Sequence, residues 1–228
     1  MQKKLAIYGS GGLGIEMFDI ALRINGLAQK WNEIVFINDF EEERAFLNTK
    51  ILHFETIAQS PKLYECIVAV GEPTAREMLY RKLKDVRISL ATLLDPTAII
   101  SPSSQIGEGT IVCEFSTIHA DVVLGENCLV QPYACIGHNI SVGKHSVFSS
   151  FCAPGGNSVF GNCVYCGMQS SIKEGLTVGD NAIIAMAAAV FCNVPAGAVF
   201  VGNPARITRG NDQSKVFSAK CLHPCEVS

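Results

Sequence analysis

The chain has 228 residues, of which 48% are apolar and 17% are charged, and its formal net charge at pH 7 is −3. This composition is that of a folded globular protein and excludes a disordered chain. The small negative charge gives no electrostatic basis for binding nucleic acid or an anionic membrane. No apolar run reaches the roughly 20 residues that a transmembrane helix needs. We therefore expect a cytoplasmic protein without a membrane insertion.

The first part of the chain alternates strand-like and helix-like segments. In chain order the predicted elements are a strand at 4–8, a helix at 15–27, strands at 34–37 and 66–70, and a helix at 74–83. Strand, helix and strand in this order are typical of an open parallel sheet. We therefore predict a small Rossmann-like βαβ domain over residues 1–90.

A glycine-rich segment follows the first predicted strand. Its spacing, Gly9-x-Gly11-x-x-Gly14, matches the dinucleotide fingerprint, in which exposed amides and a helix N-terminus receive phosphate. Asp39 stands at the end of the second strand, where such domains place an acidic residue. The motif is weak evidence by itself, because tight turns also need glycines. The alternative that these glycines serve only the turn stays open.

The second part of the chain has a period of six. From Leu94 to Val190 every sixth residue is apolar in one unbroken register, and Pro154 is the one member without an ordinary apolar side chain. Three hexads make one triangular coil, so stacked coils align these residues in columns inside a prism. A β-sandwich would show a period of two instead. We predict a parallel β-helix over residues 91–206 and a C-terminal tail over residues 207–228.

Ten cysteines raise the question of disulfides or metal. Most of them fall in the hexad region, where they behave as small apolar residues. Cys163-x-x-Cys166 has no second pair at zinc-ligand spacing, and Cys221, His223 and Cys225 in the tail form the other candidate cluster. We predict no metal site, and the role of the tail cluster stays open.

These features together resemble the two-domain hexapeptide-repeat sugar acetyltransferases, which include the bacillosamine-pathway, perosamine and sialic acid enzymes. The resemblance extends through the segment Val199-Phe-Val-Gly-Asn-Pro-Ala-Arg206. It implies a left-handed β-helix, acetyl-CoA as co-substrate, and a homotrimer. It also implies that the acceptor is a UDP- or dTDP-linked amino sugar used for surface glycan synthesis, such as lipopolysaccharide or O-antigen.

The resemblance also assigns site residues. His138 matches the histidine that removes the proton of the acceptor amine, and imidazole suits this task because its ordinary pKa is about 6.5. Asn139 follows it where the relatives carry Glu or Asp. The positions matching the nucleotide-sugar site are Gly9, Gly11, Gly12, Leu13, Asn38, Asp39 and Gly71. The positions matching the acetyl-CoA site are Val147, Gly167, Met168, Ala185, Gly202 and Pro204.

This chain departs from the family pattern at several of these positions. Leu13 and Val147 stand where relatives often carry histidine, and Asn38 replaces the first residue of an acidic pair. His145 lies two places out of register, so we do not assign it the role of the second histidine. Two other functions stay open, an O-acetyltransferase of the sialic acid type and a non-catalytic β-helix that binds a nucleotide.

Overall fold

A computed structural model describes residues 2–40, 42–211 and 215–217. Its first part is a six-stranded sheet with helices. The elements are β1 (Lys4–Tyr8), α1 (Gly12–Ala28), β2 (Ile34–Asn38), β3 (Arg44–Phe46), β4 (Thr49–His53), α2 (Phe54–Ala58), a 3-10 turn (Pro61–Leu63), β5 (Tyr64–Val68), α3 (Pro73–Asp85) and β6 (Ser89–Leu90). The strand order is β3-β4-β2-β1-β5-β6, and all neighbours are parallel except β3 and β4.

The predicted βαβ order of this part is confirmed, and three strands were missed. The predicted strands correspond to β1, β2 and β5, although β5 begins and ends two residues earlier than expected. The hairpin of β3 and β4 and the short strand β6 were not predicted. Each of these strands is brief, β3 has no buried residue and β4 has only the pair Ile51 and Leu52, so their pattern does not stand out from a loop.

The second part is a parallel β-helix with three faces. Face I comprises β7 (Leu93–Leu94), β10 (Ile111–Val112), β13 (Leu129–Val130), β16 (Val147–Phe148), β19 (Tyr165–Cys166), β22 (Ile183–Ile184), β24 (Ala198–Val201) and β25 (Arg206–Gly210). Face II comprises β8 (Ile99–Ile100), β11 (Thr117–Ile118), β14 (Cys135–Ile136), β17 (Ala153–Pro154), β20 (Ser171–Ile172) and β23 (Ala189–Val190). Face III comprises β9 (Gln105–Ile106), β12 (Val123–Leu124), β15 (Ser141–Val142), β18 (Val159–Phe160) and β21 (Thr177–Val178).

Each coil is eighteen residues long, since Ile111 pairs with Leu129 and Leu129 with Val147. The second residue of each strand points into the prism and builds one continuous core from Val112 to Phe200. These are the residues of the predicted hexad register. Strand β25 is antiparallel to β24 and lies in the segment that was predicted as tail.

The corners between faces share one backbone conformation. The third residue after each inward apolar residue has a positive φ at nearly every corner, for example 57° at Phe115, 56° at Asn139 and 63° at His145. Small side chains behind them close the turn, as when Thr110 Oγ1 donates to Gly125 O and accepts from the N–H of Cys128. The small residues of the hexads therefore satisfy corner hydrogen bonds as well as fitting the space.

Face II is interrupted at one point. Its strands form two three-stranded sheets, β8-β11-β14 and β17-β20-β23. The break falls at Pro154, which lacks the N–H that would complete the ladder to β14. Cys135 and Gly137 still donate to Cys152 O and Pro154 O, at 3.0 and 3.1 Å, so the coils stay stacked across the break.

The first part of the chain covers face I of the prism. The first residues of the face I strands point outward, and Leu93, Ile111, Leu129 and Val147 are buried in one cluster with β1 and α1. On faces II and III the equivalent outward residues are mostly small or polar. Burying this apolar row fixes which side of the prism the sheet occupies, because the hydrophobic contribution scales with the apolar area removed from water.

A buried arginine joins the two parts. Arg76 of α3 has no exposed surface. Its guanidinium donates to Val68 O (2.7 Å) and Val70 O (3.0 Å) on the sheet side, and to Asn127 Oδ1 (3.0 Å) and Cys128 O (3.3 Å) on the prism side. Its Nε donates to Asn127 O at 3.0 Å. Burial lowers the pKa of Arg76 to about 10, so the group keeps its charge at neutral pH.

Candidate functional site

His138 lies on the corner between faces II and III, with its side chain exposed. Its Nδ1 is 2.8 Å from Oδ1 of Asn139. A carbonyl oxygen can only accept a hydrogen bond, so Nδ1 is the donor, and in the neutral tautomer of the ring Nε2 has the free lone pair. Asn139 is also the left-handed corner residue, with φ 56°, a conformation that asparagine tolerates better than most residues. One side chain thus closes the corner and orients the imidazole.

The ring of His138 lies over Gly156 of the next coil. A methyl group added at Gly156 would be 2.8 Å from both Nε2 and Cε1 of His138, and 3.0 Å from its carbonyl oxygen. The backbone φ of Gly156 is not in the left-handed range, so the glycine is required here by the space that the ring occupies. Sequence reasoning missed this residue, although its position eighteen places after His138 was a readable signal.

His145 and Val147 lie on the side covered by the first part of the chain. His145 is buried, its Nδ1 is 3.0 Å from Asn127 Nδ2, and its ring meets the edge of Tyr80. Burial lowers the pKa of His145 to about 4, so it is neutral and structural. Val147 is 1% exposed and belongs to the face I cluster. Its side chain has no free surface to offer acetyl-CoA, so we do not retain Val147 in the proposed site.

The glycine loop contains glycines with two different roles. Gly9 has φ 121° and Gly14 packs so closely that an added methyl group would lie 2.1 Å from Gly9 O. Methyl groups at Gly11 and Gly12, in contrast, would meet nothing within 4 Å among the described residues. No described side chain caps the first turn of α1. The loop therefore leaves open space directly in front of uncapped amides, which is the arrangement that binds phosphate.

Asn38 and Asp39 lie beside this loop at the end of β2. Asn38 Nδ2 donates to Ser10 Oγ at 2.8 Å, which ties the loop to β2. Asp39 accepts from Tyr8 OH and from Lys82 Nζ, both at 2.7 Å. The ammonium of Lys82 thus compensates the carboxylate. On the opposite side of β1, Gly9 adjoins the end of β5, because a methyl group at Gly9 would lie 2.9 Å from Ala69 O. Gly71 lies two residues further on.

The positions expected to hold acetyl-CoA lie on the corner between faces I and II, in the last coils. Met168 and Ala185 are at least partly accessible there, and Gly202 and Pro204 are exposed in the turn between β24 and β25. Gly167 is buried, and a methyl group on it would be 2.6 Å from the N atom of Met186. The packing of adjacent coils therefore accounts for this glycine without a ligand.

The structure does not bring these three groups together within one chain. The nucleotide loop belongs to the part that covers face I, and the corner of His138, between faces II and III, is opposite that face. The corner with Met168 and Ala185 is separated from His138 by the width of face II. A site that uses all three groups therefore needs a second copy of the chain.

The described residues contain no cluster of His, Cys, Asp and Glu side chains able to hold a metal ion. Cys166 points into the prism core, whereas the thiol of Cys163 faces Glu77 of α3, so these two do not converge. Cys221, His223 and Cys225 lie outside the described residues. Over the same part of the chain, the longest helices fall short of the length and apolarity that crossing a membrane requires.

Solved structures share this architecture over almost its whole length. The acetyltransferase domain of PglB from Neisseria gonorrhoeae FA1090, in complex with acetyl coenzyme A, gives a TM-score of 0.85 at 25% identity, covering 91% of this chain and 100% of that one. A variant of perosamine N-acetyltransferase from Caulobacter crescentus, in complex with CoA and GDP-perosamine, gives a TM-score of 0.83 at 23% identity. The match covers 92% of this chain and 98% of that one. The prism therefore has the left-handed β-helix fold of these acetyltransferases, and it is preceded by a small Rossmann-like domain.

One family model and several curated proteins also match parts of the chain. Residues 4–83 match the family model of the PglD N-terminal domain. UDP-3-O-acylglucosamine N-acyltransferase of Caulobacter sp. (strain K31) is 36% identical over 86 residues, which are 38% of this chain but 25% of that protein. The chain thus covers a quarter of that relative's length. The predicted resemblance to the two-domain sugar acetyltransferases is confirmed.

Proposed function

We propose that the protein transfers the acetyl group of acetyl-CoA to the amino group of a nucleotide-linked sugar, with His138 as general base. The observation that carries this proposal is the His138–Asn139 pair, in which Nδ1 is the donor to Asn139, so that Nε2 is the nitrogen available as a base on an exposed corner of the prism. The known structures of similar fold that hold acetyl coenzyme A or GDP-perosamine support the choice of donor and acceptor. We further propose that residues 1–90 bind the acceptor and that residues 91–206 carry the base and the donor site.

In this mechanism the amine nitrogen attacks the thioester carbonyl carbon while Nε2 of His138 takes one of its protons. The side-chain oxygen of Asn139 accepts a hydrogen bond from Nδ1–H throughout and so keeps the ring in the reactive tautomer. The amide carries no negative charge, so it orients the imidazolium without the electrostatic stabilisation that a carboxylate would add. When the C–S bond breaks, the imidazolium can return its proton to the departing CoA thiolate, which leaves the amide and CoA-SH.

The nucleotide would lie across the glycine loop. The diphosphate would meet the open amides at Gly11 and Gly12, in front of the first turn of α1. The nucleoside would extend toward Asn38 and Asp39, because β2 lies beside β1 on that side and an acidic residue at this strand end binds ribose hydroxyls in related folds. Eight cysteines of the described chain are free thiols, which agrees with a reducing cytoplasm and surface-glycan precursors made there.

A homotrimer would complete the site. The corner between faces I and II carries a ladder of exposed rings, Phe115, Tyr133 and Phe151, with centroids 5.1 and 4.9 Å apart. Half or more of each side chain is accessible in the single chain. Three copies around a threefold axis could cover this ladder and set the His138 corner of one copy beside the donor corner of the next.

The function is tested by thiol release from acetyl-CoA with a panel of UDP-, dTDP- and GDP-linked amino sugars and with free sialic acid. We expect turnover with at least one nucleotide-linked amino sugar, with the product acetylated at nitrogen. Acetylation of a hydroxyl group would support the O-acetyltransferase instead. Failure to release thiol with every amino sugar, while the protein remains folded, would contradict the proposal.

The shared site predicts complementation between two inactive variants. Gly12→Glu places a carboxylate in open space in front of the α1 amides, where it favours the helix but repels phosphate. His138→Ala removes the base. When the two variants are denatured together and refolded, random trimers should regain about a quarter of the wild-type activity, because one copy can supply the loop and its neighbour the base. The separately refolded variants are the control, and a mixture that stays inactive would place the whole site in one chain.

A further inference from the structure

Residues 215–217, which follow the last strand in sequence, contact the first part of the chain. Asn211 is fixed on the prism, since its N–H donates to Gly197 O at 2.6 Å and its Nδ2 donates to Asn181 O at 3.1 Å. The N–H groups of Val216 and Phe217 then donate to the carboxylate of Glu72, at 2.9 and 3.0 Å. Glu72 immediately precedes α3, so this contact bridges the prism and the sheet.

Phe217 lies beside Gly71, past the C-terminal end of β5. Its ring meets Tyr165 of face I edge-on, with centroids 5.5 Å apart, and its Cε2 is 3.8 Å from where a methyl group on Gly71 would be. The ring nevertheless remains 57% exposed. Tyr165 is held in turn by Ser149, whose hydroxyl donates to the tyrosine oxygen at 3.1 Å. Phe217 therefore presents an exposed ring as a wall beside Gly71, and the partly buried ring of Tyr165 supports it from the prism side.

The sheet order determines which part of a ligand would meet this wall. Strand β1 and the glycine loop lie between β2 and β5. If the diphosphate lies on the loop and the nucleoside toward Asn38 and Asp39, the group on the other phosphate must extend toward β5 and Gly71. In a nucleotide-linked sugar that group is the glycosyl unit. A pyranose ring has C–H groups on its faces, and an exposed aromatic ring is the surface that such a face contacts.

We propose that Phe217, held by Glu72 and braced by Tyr165, forms the wall of the glycosyl subsite and determines affinity for the sugar part of the acceptor. This inference rests on the proposed function. It extends that function by assigning a specificity-determining role to residues that follow the β-helix. Phe217 is a positioning residue, because it contacts neither the amine nor the base. Glu72 acts through Phe217 by holding the backbone of the segment.

The test compares Phe217→Ala with wild type in steady-state kinetics and in calorimetric binding. We expect the KM for the nucleotide-linked sugar to rise about five- to tenfold, which is what loss of one aromatic contact produces. The KM for acetyl-CoA and the Kd for the free nucleoside diphosphate should not change. Glu72→Ala should raise the acceptor KM in the same way, whereas Glu72→Gln keeps one acceptor oxygen for the segment and should have a smaller effect. Leu27→Ala, at an exposed apolar residue remote from the loop, is the matched control.

The outcomes separate this inference from the proposed function. If the wild-type enzyme turns over and Phe217→Ala has an unchanged acceptor KM, the glycosyl wall is overturned while the proposed function stands. A lower acceptor KM in Phe217→Ala would also overturn it, since the segment would then obstruct the site. A parallel loss of affinity for the free nucleoside diphosphate would show that Phe217 contacts the nucleotide instead. Absence of turnover and of nucleotide-sugar binding in the wild type would instead count against the proposed function.

Discussion

Replacing His138 by alanine should lower kcat by about two to four orders of magnitude, the range that a general base contributes. The acceptor would still bind, because the glycine loop is on the opposite side of the prism, so both KM values should stay near those of the wild type. The fold should be unaffected, since the side chain is exposed and its hydrogen bond joins it to the next residue only. Thiol release measured at saturating substrates, together with sedimentation to confirm the oligomer, is the required measurement.

Two further variants separate loss of the base from general disturbance of the corner. Gly156→Ala keeps the imidazole but forces it away from its position, because the new methyl group would lie 2.8 Å from the ring. We expect an intermediate loss of kcat, about tenfold or more, since misplacement by about 1 Å is costly. His119→Ala removes another exposed imidazole of the same prism and should be nearly silent. Equal activity of His138→Ala and His119→Ala would refute the base assignment.

Replacing Arg76 by methionine should be the most destabilising of the single substitutions considered. It would leave carbonyl oxygens of the sheet and of the prism buried without a donor, and we expect a loss of about 3–5 kcal/mol. For a chain of this size that corresponds to a Tm lower by roughly 6–20 °C. Because the guanidinium joins the two parts of the chain, the sheet should also unfold separately from the prism. Differential scanning calorimetry would detect both effects.

A matched arginine on the same helix provides the control. Arg81 is 72% exposed and its partner is Glu77, one turn away. Such exposed pairs contribute less than about 0.5 kcal/mol, so Arg81→Met should hardly move the Tm. Arg76→Lys keeps the charge but lacks the planar guanidinium that donates to both the sheet and the prism, so we expect this variant to be destabilised as well. Equal Tm values for Arg76→Met and Arg81→Met would show that the buried guanidinium does not hold the two parts together.

The prism was predictable from the sequence because its period leaves no alternative. Each residue of the Leu94 to Val190 register has the same surroundings in every coil, so one rule describes the whole core. The row of apolar residues that marks face I as the covered face is also visible in the sequence, although we did not predict it. Leu93, Ile111, Leu129 and Val147 repeat every eighteen residues, whereas the large apolar residues at the equivalent places of the other faces are Ile99, Val123 and Val159, separated by small or polar residues. That row explains why Val147 is apolar without any role toward acetyl-CoA.

Other parts of the site could not be predicted from local patterns. The contacts of Arg76 with Asn127 and of Phe217 with Tyr165 join residues that are distant in sequence, and each residue taken alone is unremarkable in its segment. The role of Gly156 becomes visible only when the ring of His138 is placed above it. The pairing of His138 with Asn139, in contrast, follows from adjacency and from the corner conformation. Local geometry is therefore readable from the sequence, whereas docking between distant segments is not.

The eighteen-residue repeat also constrains how such a protein can change in length. Asn139, Asn157 and Gly175 each donate to the carbonyl of the residue that stands nineteen places earlier, namely Ala120, His138 and Gly156. These three carbonyl residues occupy one corner position in consecutive coils. An insertion or deletion preserves the stack only if it adds or removes a whole coil, and a coil inserted between His138 and Gly156 would put a different residue above the imidazole. Evolution or design can therefore lengthen this prism in modular steps at either end, while the junction above His138 must be kept.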